Sequence, residues 1–233
     1  MEFIEPSAKL IAMSFPVGED MHPIYNKDID GFSSIIERSA KTCYKSKLAS
    51  TEDNKNKFVD KIINVNHHES VSEHASATFS LITSRDVMAE ITRHRLASFS
   101  IESQRYVNYE KSGLKVIPPQ RINRKILKSM IEDNPFEPGD NFDVYTWYNH
   151  IQAVELNYID LLEQGWKPEE ARSILPNCVA TEIVMTANVR EWRHILQLRT
   201  SKSAYIEMRV LAEQIKNILT KISPTCFELP QNM

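Results

Sequence analysis

The sequence predicts an α+β fold, and three observations carry that expectation. Segments with a strand-like period of two and segments with a helix-like period near 3.6 are mixed along the chain without regular βα alternation. The five glycines are widely scattered, so neither the GxGxxG turn of a dinucleotide-binding fold nor a P-loop is present. At 233 residues, 42% hydrophobic and 25% charged, the composition is that of an ordinary globular protein, and one domain over residues 1–233 is expected.

The elements follow in order. Lys9 to Phe15 reads as a strand, and Asp28 to Tyr44 as a helix with Phe32, Ile35, Ile36 and Ala40 on one stripe. Asn54 to His67 reads as a helix. Ala75 to Ser84 alternates Ala77, Phe79 and Leu81 against Ser76, Thr78 and Ser80, a strand with one polar face. Asp86 is placed to cap a helix running through Arg95, followed by a polar loop. Leu114 to Ile117 is β-prone and stops at Pro118-Pro119. Arg121 to Glu132 is a helix, Asn134 to Asn141 a Pro- and Gly-containing loop, and Phe142 to Gln164 a long helix with Gly165 just past its end. Pro168-Glu169-Glu170 starts another helix, with acids where the macrodipole favours them, and Pro176 ends it. Val179 to Val189 is a strand; Arg190 to Arg199 and Ala204 to Ile222 are helices.

Charge and cysteine usage narrow the function. A formal charge of −3 argues against broad nucleic-acid binding, which needs a large basic surface, so any anion site is local. Cys43, Cys178 and Cys226 are far apart and odd in number, which fits neither a disulfide framework nor a CxxC metal site. The opening residues carry Glu2 and Glu5 with no apolar leader, and no apolar run is long enough to span a membrane. A soluble, cytoplasmic protein is expected.

Local chemistry concentrates in Arg93-His94-Arg95, followed after seven residues by Ser103 and then Gln104-Arg105-Tyr106. On a helix, consecutive residues point about 100° apart. The triplet therefore suits a long anionic ligand, or two ligands that meet, as well as a plain charged helix end with a solvated turn. Glu90 lies on the same side, three residues before Arg93. A second group, Arg190, Arg193, His194 and Gln197, falls on one helical face, with Arg199 roughly half a turn round; without the first cluster these would read as surface charge. The third candidate, His67 to His74, contains three histidines and two carboxylates, but His74 follows His68 by six residues and the HExxH zinc spacing fails. A helix cap at Ser70 or Ser72 is the better expectation, and no metal is expected.

Arg93-His94-Arg95, the seven intervening residues and Ser103 resemble the RHRX7S signature of the flavin-dependent thymidylate synthases. HHESVSEH from His67, EARSILP from Glu170 and NVREWRHILQLR from Asn188 resemble further segments of that family, in the family's order. The resemblance implies an antiparallel sheet flanked by helices, and methylation of dUMP to dTMP. Methylenetetrahydrofolate would be the carbon donor, FAD the hydride carrier and NADPH the reductant, in a homotetramer with sites at subunit interfaces. Carried over by position, Ser70, Arg93, His94, Arg95, Ile101, Asn188, Val189, Arg190 and His194 correspond to FAD contacts. Glu90, Ile91, Thr92, Arg93, Ile101, Glu102, Ser103, Gln104, Arg105, Arg172 and Arg199 correspond to dUMP contacts. Some members have Gln at the position of Glu90 and Asn at that of His194. By the same resemblance Arg199 is the catalytic group. A guanidinium that cannot give up its proton draws electron density into the uracil ring, so that C5 attacks. Ser103 is then expected to bind substrate rather than attack it, since the family's flavin route requires no enzyme nucleophile and nothing in the spacing puts a base beside the hydroxyl.

Overall fold

Burial alternates along Ser76–Ser84, where Ala77, Phe79 and Leu81 turn inward and Ser76, Thr78 and Ser80 stay half-exposed, as in a strand covered more fully on one face. The computed structural model describes residues 1–18, 30–132, 139 and 141–228. In chain order its elements begin with β1 (Glu2–Phe3), β2 (Ser7–Met13), α1 (Gly31–Tyr44), α2 (Glu52–Asp60), β3 (Ser76–Ser84), α3 (Arg85–Ile91), β4 (Ala97–Ile101), α4 (Tyr109–Ser112) and β5 (Lys115–Val116). They continue with α5 (Arg124–Glu132), α6 (Phe142–Glu163), α7 (Pro168–Ala171), β6 (Ala180–Asn188), α8 (Val189–Arg199), α9 (Ile206–Ile222) and α10 (Pro224–Phe227).

The fold is α+β. An antiparallel sheet in the order β2-β3-β6-β4 is flanked by helices. Thr78 and Thr186 face each other across β3 and β6 with their hydroxyls 2.9 Å apart. In addition, β1 and β5 form a short parallel ladder that sets Glu2 opposite Lys115 and Phe3 opposite Val116.

The chain divides into two compact units. The first comprises Met1–Pro6, Ile82–Glu90 and Ile101–Glu182. Its core gathers Tyr109, Leu114, Val116, Ile151, Tyr158 and Val179, with a satellite of Ile122, Leu127, Met130 and Val144. Helix α6 ends as its sequence anticipates: Gly165 takes φ +90°, its N–H donates to Leu162 O at 2.9 Å, and the Trp166 N–H reaches Leu161 O at 3.0 Å. The Lys167 N–H donates to the Glu170 side chain at 2.9 Å, which fixes the start of α7.

The second unit comprises Ser7–Leu81, Ile91–Ser100 and Ile183–Met233. Here Trp192, fully buried, meets Phe79 edge-on with ring centroids 5.1 Å apart and donates its indole N–H to Ala77 O at 3.1 Å. Val189, Trp192, Ile195 and Leu196 form the buried stripe of α8, and α9 covers β2 with Leu211, Ala212 and Ile215 inward.

Several expectations are corrected. The helix expected through Arg95 ends at Ile91, closed by a turn in which the His94 N–H donates to Ile91 O at 3.2 Å. The residues after it form β4 instead of a loop, with Ser98 and Ser100 exposed between half-buried Ala97, Phe99 and Ile101. The sheet ladder outweighs helix continuation there, and Arg93-His94-Arg95 is the connection between the two elements. The helix expected over Asn54 to His67 is α2 followed by a π-helical stretch, Lys61–Val65. His67 then takes a left-handed φ of 55° into a 3-10 turn over Glu69–His74. No cap forms at Ser70 or Ser72 there; the Ser72 hydroxyl instead donates to Glu69 O at 2.6 Å. Helix α5 starts three residues later than expected, because the Asn123 side chain accepts the N–H groups of Lys125 and Ile126 and opens the helix at Arg124. The expected start at Asp28 and most of the Asn134 to Asn141 loop lie outside the described residues.

Candidate active site

In the second unit the site is built on α8. Asn188 caps the helix by accepting the Glu191 N–H at 2.9 Å, which fixes where the first turn points. With the apolar stripe buried, Arg190, His194 and Gln197 are exposed on the outer face and Arg193 and Glu191 lie at its edge. Together with Glu69, Glu73, Asn188 and Leu96 these residues line a cavity of about 560 Å³. The two carboxylates of the His67 to His74 segment answer these arginines: Glu73 pairs with Arg190 at 2.5 Å, and Glu69 lies 3.7 Å from both Arg190 and Arg193. Among the described residues no group of three His, Cys, Asp or Glu side chains is arranged to hold a metal ion.

Arg193 departs from the surface-charge reading. It is only 8% exposed, donates to Asn64 Oδ1 at 2.8 Å and to Cys226 O, and ties α8 to the π-helical stretch and to α10. Arg93 and Arg95 point outward and are exposed, whereas His94 between them is 5% exposed. Both ring nitrogens of His94 are engaged. Nδ1 lies 3.2 Å from Glu191 Oε1, and Nε2 accepts from Arg199 Nε at 3.1 Å. His194 stands edge-on to the same ring at 5.8 Å. Burial, and next the Arg199 charge, lower the pKa of His94 below its ordinary 6.5, while Glu191 opposes them.

The first unit holds the other predicted residues. Glu102 accepts from the Tyr109 hydroxyl at 2.9 Å and from the Glu182 N–H at 3.3 Å, and its carbonyl is held by Arg85 at 3.1 Å. Burial, reinforced by Glu102, pushes the Tyr109 hydroxyl well above the usual phenol range, so it remains a donor. The Ser103 hydroxyl accepts the Arg105 N–H at 3.3 Å, closing a tight turn, and Gln104 is buried. Arg105 and Arg172, distant in sequence, converge on Glu169: Arg105 Nε meets its carboxylate at 3.4 Å, and Arg172 Nε its carbonyl at 3.2 Å.

The remaining positions are placed as follows. Ile91 and Val189 are fully buried, so their side chains are closed to a ligand. Thr92, Glu90 and Ile101 are half-buried, and Ser70 is exposed beside Glu69. Cys178 is no nucleophile at neutral pH, since burial pushes its thiol up to about 11. Glu191, Tyr109 and Arg85 carry no role in the sequence reading, and Glu169 appears there only as an acid at the start of α7.

Comparison with known proteins agrees with the motif. The family model described as thymidylate synthase complementing protein matches residues 27–225. The chain is 31% identical over 226 residues to a probable flavin-dependent thymidylate synthase of Mycobacterium phage L5, covering 92% of this chain and 86% of the relative. It is 34% identical over 171 residues to the flavin-dependent thymidylate synthase of Geobacter sulfurreducens, covering 73% and 67%. Against that of Mycobacterium tuberculosis identity is 32% over 214 residues, covering 87% and 81%.

Proposed function

This chain belongs to the flavin-dependent thymidylate synthase family, and from that premise we propose that it methylates dUMP to dTMP with methylenetetrahydrofolate as carbon donor and NADPH as reductant. The cofactor is FAD, and residues 1–233 act as one catalytic domain. The working form is a cytoplasmic homotetramer with sites at subunit interfaces.

The residues of the α8 cavity fit a flavin nucleotide. Arg190 and His194 offer donors to a diphosphate, Gln197 and the Asn188 backbone offer polar contacts, and the largely exposed side chain of Leu96 offers an apolar surface to a flat ring. Arg190 must exchange Glu73 for the ligand phosphate. Arg93, Arg95, Ser70 and Val189 complete this set, with His94 supporting it from behind. The bound flavin supplies hydride transfer, and the protein supplies binding, orientation and electrostatics.

For dUMP, Arg105 and Arg172 supply the phosphate donors. The Ser103 turn, with Glu102 and Gln104, shapes the nucleotide clamp, and Glu90, Ile91, Thr92 and Ile101 belong to the same dUMP-contact set. Arg199 polarises the uracil ring, stabilising charge on its carbonyl oxygens or at N3 so that C5 becomes nucleophilic. Ser103 attacks nothing, since its hydroxyl organises the backbone at Arg105.

The observation that carries this reading is the pinning of Arg199 by a buried histidine at 3.1 Å, which orients a permanent cation without neutralising it. Purified protein, reconstituted with FAD if needed, should show an oxidised-flavin spectrum that NADPH bleaches. A colourless protein that does not take up FAD would sink the reading.

A further inference from the structure

We propose that Glu191, His94 and Arg199 act as a unit in which the neutral Nδ1–H tautomer of His94 is a positioning group, aiming the Arg199 guanidinium through its Nε–H. The inference rests on the role given to Arg199 above, but the geometry stands by itself. An arginine Nε–H can only donate, so the His94 Nε2 that it meets at 3.1 Å must carry a lone pair. The ring proton of the neutral imidazole then sits on Nδ1, facing Glu191 Oε1 at 3.2 Å. That assignment follows from donor and acceptor chemistry, with Arg199 and Glu191 favouring the same tautomer from opposite sides of the ring.

The three residues are held from both ends. Glu191 is fixed because its backbone N–H is capped by Asn188 and its side chain is buried. Arg199 sits two turns later on the same helix, in its last turn. His94 bridges that distance from the connection between α3 and β4. Among the described residues, the titratable and charged groups facing its ring are Glu191, Arg199 and His194, all on α8. A guanidinium swivelling about its long side chain would give its field no fixed direction. The bond at Nε helps to fix the plane of the guanidinium. Protonation of His94 would replace the acceptor with a second cation and break this bond to Arg199. Burial and Arg199 itself oppose that protonation at neutral pH.

The test combines a structural and a kinetic readout on the FAD-loaded protein. With 15N-labelled histidine, long-range 15N–1H correlation at pH 7 should show His94 protonated on Nδ1 alone, and removing both neighbours, in Glu191→Leu with Arg199→Ala, should abolish that preference. A proton on Nε2, or an imidazolium, would overturn the assignment. His94→Leu should lower kcat on the order of 10²-fold, the scale of a misplaced reacting group. His94→Gln, whose amide oxygen still accepts from Arg199, should recover at least about 10-fold of that loss and remove the acid limb of the pH profile. Equal kcat in wild type, His94→Leu and His94→Gln, with flavin content and circular dichroism unchanged, would overturn the positioning role. Full turnover in Arg199→Ala would instead refute the role of Arg199 and leave the tautomer result standing.

Discussion

Replacing Arg193 with Met separates a surface charge from a structural cation. Met keeps most of the aliphatic volume and removes the guanidinium. Two charged hydrogen bonds are lost, to Cys226 O and Asn64 Oδ1, each contributing roughly 1.5–3 kcal/mol. Against this, the buried Nε–H has no partner, and its removal returns roughly 1–3 kcal/mol. The net cost is about 2 kcal/mol. With a urea m-value of about 2–3 kcal/mol/M, the midpoint should fall by about 0.7–1 M at fixed protein concentration and with m unchanged. The assay is equilibrium urea unfolding followed by tryptophan fluorescence, which Trp192 on the same helix reports. A midpoint shift equivalent to less than about 0.5 kcal/mol, the range of an exposed substitution, would refute the buried-network account of Arg193.

Other residues give further tests. Trp192→Ala should cost about 3–5 kcal/mol in the same assay through lost packing on Phe79, and a loss below about 1 kcal/mol would contradict that core. Gly165→Ala forces a β-carbon into a left-handed conformation and should cost about 1–2 kcal/mol although nothing crowds it; unchanged stability would refute the capping role. His94 is held neutral with a depressed pKa, so the unfolded chain binds its proton more readily. Its contribution to stability is complete above pH 6.5 and is lost as pH falls through the lower folded value. His94→Gln should flatten unfolding free energy against pH in that window, and an unchanged slope would contradict the shift. Arg190→Ala should weaken FAD about 10-fold, roughly 1.4 kcal/mol, while Glu73→Gln should tighten it; fluorescence titration with FAD decides, and weaker binding in Glu73→Gln would remove the exchange step.

Much of the framework was legible because its signals are local. The alternation of Ala77, Phe79 and Leu81, the Gly165 stop and the Pro168 start each depend on a few neighbouring residues. Strand β4 is hidden in a stretch whose hydroxyl and amide groups, from Ser98 to Gln104, read as a polar loop, although Ser98 and Ser100 alternate with Phe99 and Ile101. The basic triplet lies between α3, which ends at Ile91, and β4, which starts at Ala97. In a connection, Arg93 and Arg95 point outward and His94 inward, with no helical rotation involved. The pairings that matter most chemically, Arg199 with His94, Arg190 with Glu73 and Arg105 with Glu169, join residues 105, 117 and 64 positions apart. No periodicity reports contacts of that range. Glu191 is inconspicuous for a similar reason, since a glutamate in the first helical turn is ordinary unless a buried histidine lies against it.

The most direct measurement is dTMP formation from dUMP by the FAD-loaded protein, with the folate donor and NADPH supplied together and then omitted singly. Product should appear only in the complete mixture and fall by at least about 10²-fold in Arg199→Ala. Product formed without flavin and reductant, or undiminished turnover in Arg199→Ala, would contradict a flavin-dependent synthesis driven by electrostatic activation of the uracil ring.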